Sequence, residues 1–232
     1  MRNVATSGKR IGYGWLYNWY AVTHASGLAP DGWRVLNYDE MYHLVIDTLG
    51  GVVSGNVSTL YAAGKMKSDS DYWLEQNILT PLCGMDVHPS GFRTLSGIFL
   101  YLRESSLIIT STQYYDSDAA YFGQLDHDST MLYGFPALGL QWGSGTSVRC
   151  VQDKAPDESD GDTGTLTDVE GNIYKWVVIG DYRWMAENLR TTKYRNGNTI
   201  PEITDNTAWA NDTTGARCAY NNDHYFVYPP QK

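Results

Sequence analysis

Residues 145–153, GTSVRCVQD, alternate apolar and polar side chains like a half-buried strand. The next stretch cannot be core. Residues 152–164 bring lysine, proline, four aspartates, glutamate, serine and glycine, with no apolar residue beyond Ala155. This composition predicts an exposed, flexible acidic linker. The chain then resumes with TLTDVEGNIYKWVVIGDYRWMAENLRTTKY. Residues 173–179, a Gly180-Asp181 turn and residues 182–189 read as a β-hairpin. Any fold for this chain has to accommodate a strand in its middle, a stretch with almost no apolar residue, and then a hairpin, in that order.

With 232 residues the chain suits one large domain or two small ones. Its 18 tyrosines and 8 tryptophans suit β structure and a recognition surface, because tyrosine supplies contact area at low entropy cost. A net charge of −9 and a pI near 4.9 argue against nucleic acid or an anionic membrane as partner. No signal-peptide core is present in MRNVATSGKRIGYG, and no stretch reaches membrane-spanning length, so membrane insertion is not expected. The carboxylates of DESDGD miss the spacing of a calcium loop, and no metal is expected there. Five scattered histidines lack metal-binding helical spacing, and neither G-x-S-x-G nor a phosphate-cradling loop occurs. No cofactor follows from these residues. Cys83, Cys150 and Cys218 leave two readings open: one bridge with a spare thiol, or three buried thiols.

Local signals indicate an α+β protein with short antiparallel sheets, one or two helices and long loops. Asn37 and Glu40 form a capping-box pattern ahead of the apolar stripe Met41, Leu44, Val45 and Leu49, and Gly50-Gly51 stop that helix. Residues 58–67 suggest a second short helix. Short strands among long loops are expected from about 72 to 143, and a helical turn is expected to start at Thr204 or Asp205.

Five phrases together carry a resemblance: YGWLYNWYAV, LAPDGWRV, GTSVRCV, TDVEGNIYKWVVIGDYRWMAENLRTTKYRNGNTIP and TTGARCAYNND. They resemble the Fibrobacter succinogenes major paralogous domain family, which implies a C-type-lectin-like fold distantly akin to formylglycine-generating enzymes. The order departs from the family's. Residues 11–151 are similar to its rear part and 165–228 to its front part, joined through 152–164, with the break between Asp223 and Tyr13. A circular permutation would make one domain of both parts; a tandem array cut out of phase would leave incomplete halves, completed by swapping. The permuted domain is favoured, since domain termini often lie close and an isolated front would expose its WVVI face. It predicts that strands 173–179 and 146–151 share a sheet, that Trp184 and Trp19 share a core, and that Cys150 lies near Cys218, bonded if the protein is extracellular.

The enzyme relatives use cysteines, and here only Cys150 sits in a comparable region, inside a strand where a buried thiol is inert. The calcium-binding signatures of true C-type lectins are missing. In some phage and bacterial members, retroelements that mutate adenines diversify the C-terminal part of the domain. An asparagine codon so mutated never yields Lys, Glu, Gln, Met or Trp, and from Tyr114 to Leu140 only Gln124 and Met131 belong to that set. An ordinary loop-rich apolar segment would look similar. Yet LYGFPALGL follows no clean period, as an exposed recognition patch would.

The candidate ligand-binding residues are Tyr114, Tyr115, Asp116, Tyr121, Asp126, His127, Asp128, Tyr133 and Phe135. The expected role is a non-catalytic binding or adhesion module for a protein or glycan on another surface, at a bacterial cell surface or on a phage particle; a homo-oligomer is compatible. A formylglycine-generating-like enzyme or its inactive descendant is one alternative, and a structural module of a surface or tail-fibre assembly is another.

Overall fold

A computed structural model describes residues 12–54, 58–69, 72–75, 78 and 82–227. The domain limits expected at 11 and 228 lie outside these residues. The architecture is mixed α+β, with mostly antiparallel sheets and few, short helices. A five-stranded sheet runs in the order Thr163–Thr167, Ile173–Ile179, Tyr182–Met185, Cys150–Asp153 and Arg34–Val35. Strands from both sequence blocks therefore share it, with Val151 opposite Trp184 and Cys150 opposite Val35.

A second, eight-stranded sheet is built on Ser105–Gln113 and Ala119–Asp126, the longest hairpin among the described residues. The outer edge of Ala119–Asp126 is divided between two short strands. Gly139–Gln141 pairs with its start and Leu132–Tyr133 with its end. Leu16–Tyr17 and Arg217–Cys218 form a two-stranded ribbon.

The strand Ile173–Ile179, second in this sheet, is buried on both faces over residues 177–179, which suits that run of β-branched residues. Tyr174 belongs to a cluster with Trp15, Tyr17, Val148 and Cys150, while Val177 and Ile179 belong to another with Leu44, Phe135 and Trp184. The expectation that Trp184 and Trp19 share a core is corrected: Trp19 packs on the first cluster and Trp184 lies in the second. Period 2 puts neighbours on opposite faces, and a sheet buried on both sides has two cores.

Several elements match their local signals. Asn37 and Glu40 make both bonds of the capping box, at 2.9 and 2.7 Å. The helix then runs Tyr38–Tyr42 and widens to a π-helix over His43–Thr48 before Gly50 turns it with φ +69°. The Ile179–Tyr182 hairpin turns at Gly180 and Asp181, and Asp205 caps the helix Asn206–Asn211 through the Ala208 amide.

Others differ. Residues 58–67 divide into the strand Ser58–Leu60 and the helix Ala62–Met66, because Tyr61 takes φ +70° between them. The expected flexible linker at 152–164 is also corrected. Both its ends are strands, and its middle is bonded to the hairpin. Glu158 accepts from Arg183 Nη2 at 2.6 Å, Asp160 from the Gly180 amide at 2.9 Å, and the Asp162 carbonyl from the Val178 amide at 2.8 Å. Composition registers the missing apolar side chains and misses the acceptors that those carboxylates supply.

Beyond the shared sheet, buried polar contacts tie residues 165–227 to 12–151. Arg149 donates to the Met85 carbonyl, the Met185 carbonyl and Asn188 Oδ1 at 2.7, 2.8 and 2.6 Å, and Asn188 donates to the Tyr13 carbonyl at 2.9 Å. The Tyr13 and Gly14 amides donate to the Phe226 and Val227 carbonyls at 2.7 and 3.1 Å. Gly14 has φ +77°, and a Cβ there would meet the Leu189 carbonyl at 2.6 Å, so this junction needs glycine.

Candidate functional site

The nine candidate residues do not form one site. Tyr121 and Asp126 are five positions apart in one strand, which puts them on opposite faces and roughly 17 Å apart along it. The structure sorts the candidates into an exposed tyrosine group, a buried ring and a polar knot.

The tyrosine group surrounds the turn between Ser105–Gln113 and Ala119–Asp126. Tyr115 takes φ +46° there, a conformation unusual for a non-glycine residue, and it is 71% exposed. Its ring meets Tyr114 edge-on at 4.7 Å, and Tyr114 meets Tyr121 at 5.0 Å. Tyr114 is anchored by its hydroxyl, which donates to the Ala137 carbonyl at 2.7 Å. Tyr121 then contacts Tyr38 at 4.5 Å, and Tyr38 contacts Tyr42 at 6.1 Å. Five tyrosines from a hairpin and a helix thus make one continuous face, with Asp116 exposed beside Tyr115.

Burial raises the Tyr121 hydroxyl pKa above its ordinary value, and the neighbouring Tyr115, Tyr38 and Tyr114 hydroxyls add to this. Tyr38 is raised likewise, first by burial and then by Tyr42, Tyr115 and Asp39. Tyr38 and Tyr121 therefore present neutral phenols that donate and accept hydrogen bonds at neutral pH.

Phe135 is corrected. Expected at the surface, it is fully buried, with its ring beneath Tyr38 at 5.1 Å and Tyr42 at 6.4 Å. It is the floor of the face and offers no contact to a ligand.

Asp126, His127, Asp128 and Tyr133 lie at the far end of the strand, around Lys67. The Lys67 ammonium donates to the Asp126 carbonyl and, at 2.5 Å, to the Ser129 carbonyl, and sits 5.0 Å over the Trp73 ring. Burial lowers its pKa to about 8. The Asp126 carboxylate accepts from Ser105 Oγ and from Gln124 Nε2 at 2.8 Å. His127 is half-buried, and its amide donates to the Glu104 carbonyl at 2.7 Å. Tyr133 is half-buried beside Ser129, while Asp128 is exposed. These groups hold a turn together and are separate from the tyrosine face.

Tyr38 and Tyr42 were missed among the candidates. Their i, i+4 spacing puts them side by side on the helix, offset from the buried stripe of Met41 and Val45, and that spacing was the available signal.

The cysteines are free. Cys150 lies in the five-stranded sheet and Cys218 in the two-stranded ribbon, in different core clusters, so the expected bridge between them is corrected. Burial pushes the Cys218 thiol up to about 12 and Cys150 far above its ordinary range. Such thiols stay protonated at neutral pH and are poor nucleophiles. Among the described residues, no group of three or more His, Cys, Asp or Glu could hold a metal ion, and no helix is long and apolar enough to cross a membrane.

A largely antiparallel α+β protein carrying an aromatic face is the class that these observations define. Residues 2–152 match the model of the Fibrobacter succinogenes major domain, and the chain belongs to that family. Comparisons with curated proteins and with solved structures give no match. The matched stretch ends at the strand Cys150–Asp153 and leaves out the hairpin that completes its sheet.

Proposed function

We propose that this chain is a non-catalytic binding module, a circularly permuted C-type-lectin-like domain whose tyrosine face recognises a protein or glycan on another surface. Three observations support the permuted reading. Both sequence blocks pair in one sheet, the Tyr13 and Gly14 amides are hydrogen-bonded to the Phe226 and Val227 carbonyls, and the family match ends at residue 152, ahead of the front part. A bacterial cell surface or a phage particle is the setting that the reading fits.

Tyr115 carries the binding reading. A large aromatic residue held in a left-handed turn and 71% exposed contributes little to a core, while rigid exposed tyrosines make effective anchors for a partner. The formylglycine-generating alternative needs a reactive thiol, and both strand cysteines are buried and protonated.

The test applies the chain to immobilised glycans and to a displayed random-peptide library, beside a Tyr42→Ala, Tyr115→Ala variant. The reading expects ligands that the variant binds at least about tenfold more weakly, with its melting temperature within about 2–4 °C of the parent. Undiminished binding by the variant would overturn it.

A further inference from the structure

The two stretches that build the tyrosine face share a property of charge. No lysine or arginine occurs between Arg34 and Lys65, where Asp39, Glu40 and Asp47 stand. None occurs between Arg103 and Arg149, where Glu104, Asp116, Asp118, Asp126 and Asp128 stand. The one histidine of the first stretch, His43, turns to Asp47 at 3.1 Å and Asp181 at 3.2 Å.

Elsewhere the chain covers aromatic rings with its own arginines. Arg217 lies 3.9 Å over Trp15, Arg190 4.2 Å over Tyr174 and Arg93 4.4 Å over Trp209. The tyrosine face has the rings and, in Asp39 and Asp116, exposed acids on the same helix and turn, and its own stretches bring no guanidinium.

Resting on the reading of this face as a binding surface, we propose that its partner is a basic protein segment whose arginine and lysine side chains lie over the tyrosines. The ring geometry says how. Centroids 4.5–6.1 Å apart mean that the rings pack against one another and leave no slot between them. A cation therefore seats on an outer ring face, as guanidinium groups do by stacking. The carboxylates of Asp116 at the turn and Asp39 on the helix then face the arriving charges; both are exposed. A polyanionic partner would meet only acids on these stretches.

The experiment uses the full chain and a labelled peptide of three arginines spaced by glycine pairs, beside the same peptide with citrulline in place of arginine. Citrulline keeps the shape and removes the charge. Fluorescence anisotropy reads affinity at low and at physiological salt. The proposal expects the arginine peptide to bind at least about tenfold more tightly than the citrulline peptide, and the preference to shrink as salt shortens the Debye length. Tyr115→Ala and Asp116→Asn should each weaken arginine-peptide binding roughly two- to fivefold, the value of one exposed cation–π contact.

Equal binding of the two peptides, or no arginine-peptide binding at millimolar concentration, overturns the proposal. If citrulline peptide or an immobilised glycan binds and Tyr115→Ala removes it, the face recognises a ligand by other chemistry; the binding reading then stands and the basic partner falls. If sedimentation shows a dimer that Tyr115→Ala dissolves, the occupant is a second copy, and the proposal falls too. If no probe responds to any tyrosine substitution, both readings fall together.

Discussion

Replacing Arg149 by methionine removes the side chain that ties residues 85–86, 149 and 185–188 into one buried network. Arg149 is fully buried, and its guanidinium meets four oxygens: the carbonyls of Met85, Asp86 and Met185, and Asn188 Oδ1. Three of these bonds are 2.8 Å or shorter. Stranding three buried acceptors costs about 1–3 kcal/mol each, so about 6 kcal/mol is a central figure. The cation is itself strained by burial, which lowers its pKa from 12.5 to about 10. That strain is worth roughly 3 kcal/mol, and removing the charge relieves it. A net loss of about 3 kcal/mol remains.

For a domain of this size that loss lowers the melting temperature by about 6–12 °C, read by circular dichroism. Arg149→Lys should also destabilise, since an ammonium cannot reproduce a planar fork of donors. A double-mutant cycle with Asn188→Ala should show a coupling of at least about 1 kcal/mol, because the two side chains share a bond. An unchanged or higher melting temperature for Arg149→Met would refute the reasoning, as would zero coupling to Asn188.

Other outcomes rest on burial. Phe135→Ala should cost about 3–5 kcal/mol because the ring is fully buried, while Tyr115→Ala should stay within about 0.5 kcal/mol; urea titrations compare them, and the reverse order would contradict the assignment of floor and face. The Cys150 and Cys218 thiols are raised by burial above the ordinary value of 9.0, so the folded state holds more protons than the unfolded state above pH 9. Their contribution to stability is complete below pH 9 and declines as pH rises toward 12 and beyond. A thiol reagent at pH 8 should accordingly modify these two cysteines only after denaturant is added; rapid modification of the folded chain would contradict their burial.

Legibility in the sequence tracked the range of the interactions. Asn37 and Glu40 bond across three residues, and the Gly180-Asp181 turn joins adjacent strands, so local chemistry specified both. The tyrosine face was half legible. Tyr114, Tyr115 and Tyr121 lie within one hairpin, but Tyr38 and Tyr42 reach them only through tertiary packing. Phe135 shows the limit: an apolar residue without a clean period can lie in either place, and here the helix that carries Tyr38 covers it. The acidic stretch 154–162 misled in the other direction, because its carboxylates found donors in Arg183 and in the Gly180 amide that composition cannot show.

The claim that position in space, rather than order along the chain, defines this domain can be put to one measurement. A chain rearranged to the order that the proposed permutation implies for the family would begin near Thr163, run through Val227, cross a short glycine-rich linker to Gly12 and end at Asp153. The bonds from Tyr13 and Gly14 to Phe226 and Val227 place the joined ends beside each other. Opening the chain at 154–162 removes the salt bridge from Glu158 to Arg183 and the bonds of Asp160 and Asp162 to the Gly180 and Val178 amides, and leaves the sheet pairing on either side in place. The account predicts one cooperative thermal transition within about 10 °C of the parent and the same near-ultraviolet spectrum. A rearranged chain that stays unfolded while the parent melts cooperatively would contradict it.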